Sequence, residues 1–247
     1  MFRSHNPMMS RMRAGSMAST SEMPATYSGV IFKSAVLIWL MLVPGALLYY
    51  LVLEQTQTIG SPWIIAPVIV GPIVAIIAVI VANVSPAKAR IAAPVYSIFQ
   101  GASLGVISAI YTIAFGDAIV PTAILATVGV FFAMLMLYRS GAVRVTNGFR
   151  RFMYAVLLGL VFANLLFFIM SFFTAIAFSG LYLAVIVIGV IAASLFLLID
   201  FDTISKMVDA EAPETYEWVL SLSLIVTVVW LYVELLRLLA VISARRG

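Results

Sequence analysis

The 247-residue chain contains no cysteine and a single histidine, His5. The first absence removes disulfides, thiolate metal sites and a cysteine nucleophile. The second removes Ser-His and Cys-His catalytic pairs and any multi-histidine metal centre. Charge is scarce as well: ten acidic and fourteen basic residues make up 10% of the chain, against 64% hydrophobic residues. A soluble domain carries about a quarter charged residues, so this chain cannot cover a water-soluble surface of its own size. Carboxylates, hydroxyls, amides and the backbone are left for chemistry. They form no positioned nucleophile–base set, so neither an enzyme nor a resident cofactor is expected. The nearest approach to an intramembrane aspartyl protease motif is "AFGD" at 114–117, which has alanine in place of the first glycine and falls in a loop.

What is present is apolar sequence in long runs. The mean hydropathy is +1.16, and runs of about 20 residues, enough to cross ~30 Å of hydrocarbon, follow one another. They fall near 30–53, 62–83, 92–115, 119–138, 153–173, 181–200 and 218–242. The fold class is an all-α integral membrane protein of seven transmembrane helices, residues 30–243, behind a flexible polar tail, residues 1–29. The tail has no signal-peptide pattern, because the first apolar run is long and no small-residue cleavage site follows it. The net charge of +4 lacks the basic stripe interleaved with aromatics that nucleic acid requires. The partner expected from composition is the lipid bilayer.

Basic residues alternate between the two sides. Arg3, Arg11, Arg13 and Lys33 precede or open the first run, Lys88 and Arg90 follow the second, and Arg139, Arg144, Arg150 and Arg151 follow the fourth. The intervening loops carry only Glu54, only Asp117, or no charge. The positive-inside rule then places the N-terminus in the cytoplasm. The loop between the last two helices falls on that side despite Asp209, Glu211, Glu214 and Glu217, since acids weigh little in topology. Arg245 and Arg246 at the other end are an exception to the pattern, or mark a last segment that dips in and returns.

The sixth run ends in "LIDFDTISK" at 198–206, with two aspartates where a helix dipole disfavours acids. Residues two apart on a helix point roughly 200° from each other, so Asp200 and Asp202 cannot chelate one ion side by side. Polar residues continue to Pro213, which places both acids before the end of a helix that outlasts the bilayer core. Asp202 and Lys206 are spaced i,i+4 with the acid first, the favourable order. Either both acids are solvated at the interface, or one lines a polar path among the helices. In the seventh run Glu234 and Arg237 lie three apart and can pair on one face. A hairpin turning near Pro213 and Glu214 sets Thr227 level with Asp202, and Glu234 about two turns deeper on the Thr227 face.

At these residues the chain resembles the Bax inhibitor-1 family, the transmembrane Bax inhibitor motif proteins, and within it the bacterial YccA-like branch. The resemblance covers nearly all of residues 27–243. It rests on "IAAPVYSIFQGASLGVISAIY" at 91–111, "LYRSGAVRVTNGFRR" at 137–151, "LIDFDTI" at 198–204 and "VTVVWLYVELLRLL" at 226–239. It implies a central seventh helix surrounded by helices 1–6, in a bacterial cytoplasmic membrane. It also implies a pH-sensitive calcium leak, closed on the cytoplasmic side by two aspartates on helices 6 and 7 that share a proton. Such a pair titrates as a unit, its loss of a proton parts the helices, and the freed oxygens are hard ligands for Ca²⁺.

Carried over by register, the helix 6 aspartate is Asp202 and the helix 7 aspartate falls on Thr227. The family's helix 3 glutamate falls on Gln100. Two acids of the pattern are therefore missing. The expectation is a single-carboxylate latch from Asp202 to Thr227, with Asp200 as a further gate acid. Glu234, Arg237 and Gln100 are the remaining polar residues of the path, and calcium makes transient contacts at Asp202 and Glu234. Calcium is the permeant ion in this reading, not a cofactor. The competing expectation is a non-conducting interaction protein that modulates membrane-protein quality control or a stress response through its tail and acidic loop.

Overall fold

The computed structural model describes residues 23–55, 61–172 and 180–245. Within them the chain forms seven helices, each long and apolar enough to span a bilayer. They are α1 (Tyr27–Glu54), α2 (Pro62–Val84), α3 (Pro86–Phe115), α4 (Ile119–Arg139), α5 (Asn147–Met170), α6 (Gly180–Asp209) and α7 (Tyr216–Ala244).

Local chemistry sets the ends. Thr26 caps α1, its hydroxyl accepting from Gly29 N–H at 3.0 Å; Thr146 caps α5 through Phe149 N–H at 3.2 Å. The second and third helices open on Pro62 and Pro86, at the position where a missing N–H costs nothing. Gly116, with φ of +95°, stops α3 in a backbone region that side chains rarely enter. Three helices outlast their apolar runs: α3 begins at Pro86, α5 at Asn147, and α6 continues to Asp209. The hydropathy pattern marks only the stretch that must be apolar, whereas backbone hydrogen bonding carries each helix on into the polar layer.

Glycine decides how closely the first three helices approach. A Cβ on Gly101 of α3 would overlap the Met41 carbonyl of α1, and one on Gly105 would overlap the Gly45 carbonyl. A Cβ on Gly71 of α2 would stand 2.8 Å from the Phe99 carbonyl of α3. Helices in lipid gain no hydrophobic drive toward each other, so such close backbone contact supplies the attraction instead. The last helix packs against α1, α3, α4 and α6 and reaches α5 through Trp230, which joins a cluster built on Met153 and Leu160. Its apolar window is 61% buried, more than that of any other helix. The outward faces carry large aliphatic and aromatic side chains, among them Phe32, Trp39, Ile76, Phe162 and Leu166. These are suited to acyl chains, and the protein is a multi-pass membrane protein.

Residues 1–22 of the tail lie outside the described residues. The part that is described is not free. Ala25 N–H donates to the Ala212 carbonyl at 2.7 Å and Glu214 N–H to the Met23 carbonyl at 2.9 Å, lacing residues 23–25 to the α6–α7 turn, and α1 begins at Tyr27.

Candidate functional site at the α6–α7 interface

Asp200 and Asp202 sit near the polar end of α6 and address different neighbours. Asp202 faces α5. Its Oδ2 accepts from Arg150 Nη2 at 2.5 Å and from Lys206 Nζ at 2.7 Å. Arg150 also donates to Thr203 Oγ1 at 3.1 Å. Asp200 faces α7, where its Oδ1 accepts from Ser223 Oγ at 2.9 Å. It is 8% exposed, and its Oδ2 is sealed from solvent with no hydrogen-bond partner among the described residues. Thr227 lies beside the same carboxyl, while its hydroxyl donates to the Ser223 carbonyl at 3.3 Å.

The expected contact between Asp202 and Thr227 is therefore not formed, and Asp200 occupies the position facing α7. Two causes combine. The two acids point to opposite sides of α6, and Arg150 holds Asp202 on the α5 side along with the expected Lys206. The register across the 210–215 connection also sets Ser223 opposite Asp200. The Arg150 guanidinium is close enough to act on Asp200 through its field.

Farther along α7, Glu234 is buried at 5% exposure. Its Oε1 accepts from Trp230 Nε1 at 3.2 Å and lies 3.6 Å from Arg237 Nη1. The i,i+3 pair read from the sequence is present. Arg237 also donates to Asn164 Oδ1 of α5 at 3.1 Å. The Glu234 carboxyl rests on Gly189 of α6, where a Cβ would stand 2.9 Å from its carboxyl carbon. Glu234 and Thr227 are both buried on α7. Gln100 has a buried side-chain oxygen without a partner among the described residues, and no hydrogen bond links it to either acid. Three buried hydroxyls, those of Ser34, Ser97 and Ser103, likewise lack partners among the described residues. They lie on α1 and α3, the helices that flank α7.

One cluster was invisible in the sequence. Glu217, in the first turn of α7, is 2% exposed. Its Oε1 accepts from Thr26 N–H at 2.7 Å and from Thr26 Oγ1 at 3.1 Å, and its Oε2 accepts from Lys33 Nζ at 2.6 Å. Lys33 also donates to Glu214 Oε1 at 3.1 Å. The Glu217 carboxylate fills the space that a side chain on Gly29 would need. In the sequence Lys33 reads as a topology charge and Glu217 as a loop acid, and their separation of 184 positions leaves no local trace.

Among the described residues, no three His, Cys, Asp or Glu side chains gather closely enough to hold a metal ion. The α6–α7 interface instead offers one sealed carboxylate oxygen with two hydroxyls around it, and a second buried carboxylate farther along. Such an oxygen carries a proton, takes a hydrogen bond from the neighbouring Thr227 hydroxyl, or is reached by water or a cation.

A family model described as "Bax inhibitor 1 like" matches residues 6–244. No curated protein matches the chain at a significant level.

Proposed function

Because the chain belongs to the Bax inhibitor 1 like family, we propose that it is a pH-sensitive calcium leak gated at Asp200, between α6 and α7. The observation that supports this reading is the buried Oδ2 of Asp200, which has no donor among the described residues on a helix-helix interface otherwise closed by Ser223. With a proton on Asp200 the interface can stay shut. Proton loss leaves a buried charge facing α7 beside the Ser223 and Thr227 hydroxyls; it draws in water or a cation, and their entry separates the two helices. Asp202 is already neutralised by Arg150 and Lys206, so it contributes less to a permeant ion than the sequence suggests. Glu234 offers the next hard oxygen along α7, with the Thr227 and Ser223 hydroxyls beside Asp200.

The proposed setting is a bacterial cytoplasmic membrane. Arg90, Arg144 and Arg150 lie toward the membrane face from which α1 starts, which the positive-inside rule assigns to the cytoplasm. The reading includes no catalytic role and no resident cofactor. A second reading, a non-conducting interaction protein, is favoured by the lacing of residues 23–25 to the acidic α6–α7 turn.

The two readings separate in liposomes loaded with a calcium indicator. A leak gives calcium entry above that of protein-free vesicles, and deletion of residues 1–22 leaves it in place. Entry no greater than in empty vesicles at every pH would rule out the leak.

A further inference from the structure

A cavity of about 300 Å³ opens at the membrane face where α1, α3 and α7 begin. Lys33, Arg90, Glu214, Trp218, Met23 and Pro86 are among the residues that line it. Two of its charges are committed to each other, because Lys33 Nζ donates to Glu214 Oε1 at 3.1 Å as well as to buried Glu217. Arg90 is different. It is exposed and makes no hydrogen bond or ion pair with any described residue. Exposed Lys88, two positions before it, points to another side of α3 and is not in the lining.

A guanidinium facing a cavity without a counter-ion suits a phosphate, which its planar fork can grip with two hydrogen bonds. The depth of the cavity identifies the kind of phosphate. It lies at the ends of membrane-spanning helices, with the Trp218 indole in its wall and Lys33 Nζ 5.5 Å from that ring. Tryptophan at a helix end belongs to the headgroup layer. Val84 at the end of α2, and Ile91 next to Arg90 in the sequence of α3, are 79% and 67% exposed and present aliphatic surface to acyl chains. Positive charge, aromatic wall and outward aliphatics together describe an amphipathic anion.

We propose that this cavity binds the headgroup phosphate of an anionic phospholipid, with Arg90 as its charge partner and acyl chains lying along the α2–α3 face. Glu214 opposes the ligand, since it places a negative charge in the lining on a side chain that is 45% exposed. This gives the proposal a second, opposite-signed handle.

The test is lipid retention by the purified full-length protein, measured by native mass spectrometry against phosphatidylglycerol, phosphatidylcholine and inorganic phosphate. Phosphatidylglycerol should be retained over phosphatidylcholine. Arg90→Gln should weaken that retention by about tenfold, the loss of one charge-assisted contact, and Glu214→Gln should strengthen it. Arg144→Gln, at an exposed arginine of the α4–α5 turn, should change nothing. Equal losses for Arg90→Gln and Arg144→Gln would reduce the effect to general surface charge and overturn the site. Equal retention of phosphatidylcholine would overturn its anion selectivity, and retention of inorganic phosphate as strong as that of phosphatidylglycerol would overturn the assignment to lipid.

Discussion

The Asp200 carboxyl and the Ser223 hydroxyl meet at 2.9 Å across the α6–α7 interface, while Asp202 is drawn to the far side of α6 by Arg150. The two acids of one short motif thus do different work. One closes a contact with the most buried helix, and the other anchors α6 to α5. Ser223 donates the hydrogen bond that holds Asp200 across the interface, so its removal leaves a buried carboxyl without that donor. Ser223→Ala should lower stability by about 1–3 kcal/mol, read as a lower thermal midpoint in detergent. Ser223→Thr keeps the hydroxyl and should recover most of the loss. Equal midpoints for the alanine variant and the parent would show that this bond carries no weight.

The Lys33–Glu217 pair ties α1 to α7, and its side chains are only 11% and 3% exposed. Breaking one half of a buried pair typically costs about 3–5 kcal/mol, because the other charge is stranded. Lys33→Met should therefore depress the thermal midpoint strongly. Adding Glu217→Gln should restore part of the loss, since the amide still accepts from Thr26 N–H without carrying a charge. If the double variant is less stable than Lys33→Met, the stranded-charge explanation fails.

Close packing of α1 on α3 makes a sharper prediction about glycine. Gly105→Ala places a methyl against the Gly45 backbone, which cannot rotate away, whereas a Cβ on Gly129 of α4 would meet nothing within 4 Å. The first substitution should cost at least about 1–3 kcal/mol through overpacking. The second should be neutral or slightly stabilising, because alanine favours the helix. Comparable midpoints for the two variants would contradict the close approach of α1 and α3.

The seven spans were legible because each must hold about 20 apolar residues to cross hydrocarbon, a demand that composition cannot hide. The polar turns that open α3 and α5 were not, since nothing forces them to be apolar, whereas the continuation of α6 past its two acids was, because no strong helix stop intervenes before Pro213. The Glu234–Arg237 pair was legible because both members lie on one helix at a spacing that places them together. The direction of Asp202 was not. Lys206 is local and visible, but Arg150 is 52 positions away, and the register of a hairpin is uncertain by more than the two residues that separate one acid from the other. The same limit hid Glu217, whose partners Thr26 and Lys33 belong to the opposite end of the chain.

The most direct test compares Asp200→Asn and Asp202→Asn in liposome calcium flux across pH. An amide at 200 cannot lose a proton, so the interface should stay in its protonated-like, closed form. Flux in the parent protein should rise with pH, and in Asp200→Asn it should stay low and flat. Asp202→Asn should keep the rise, because Asp200 and its α7 contacts remain. A flat profile for Asp202→Asn together with an unchanged one for Asp200→Asn would return the gate to Asp202 and contradict the account.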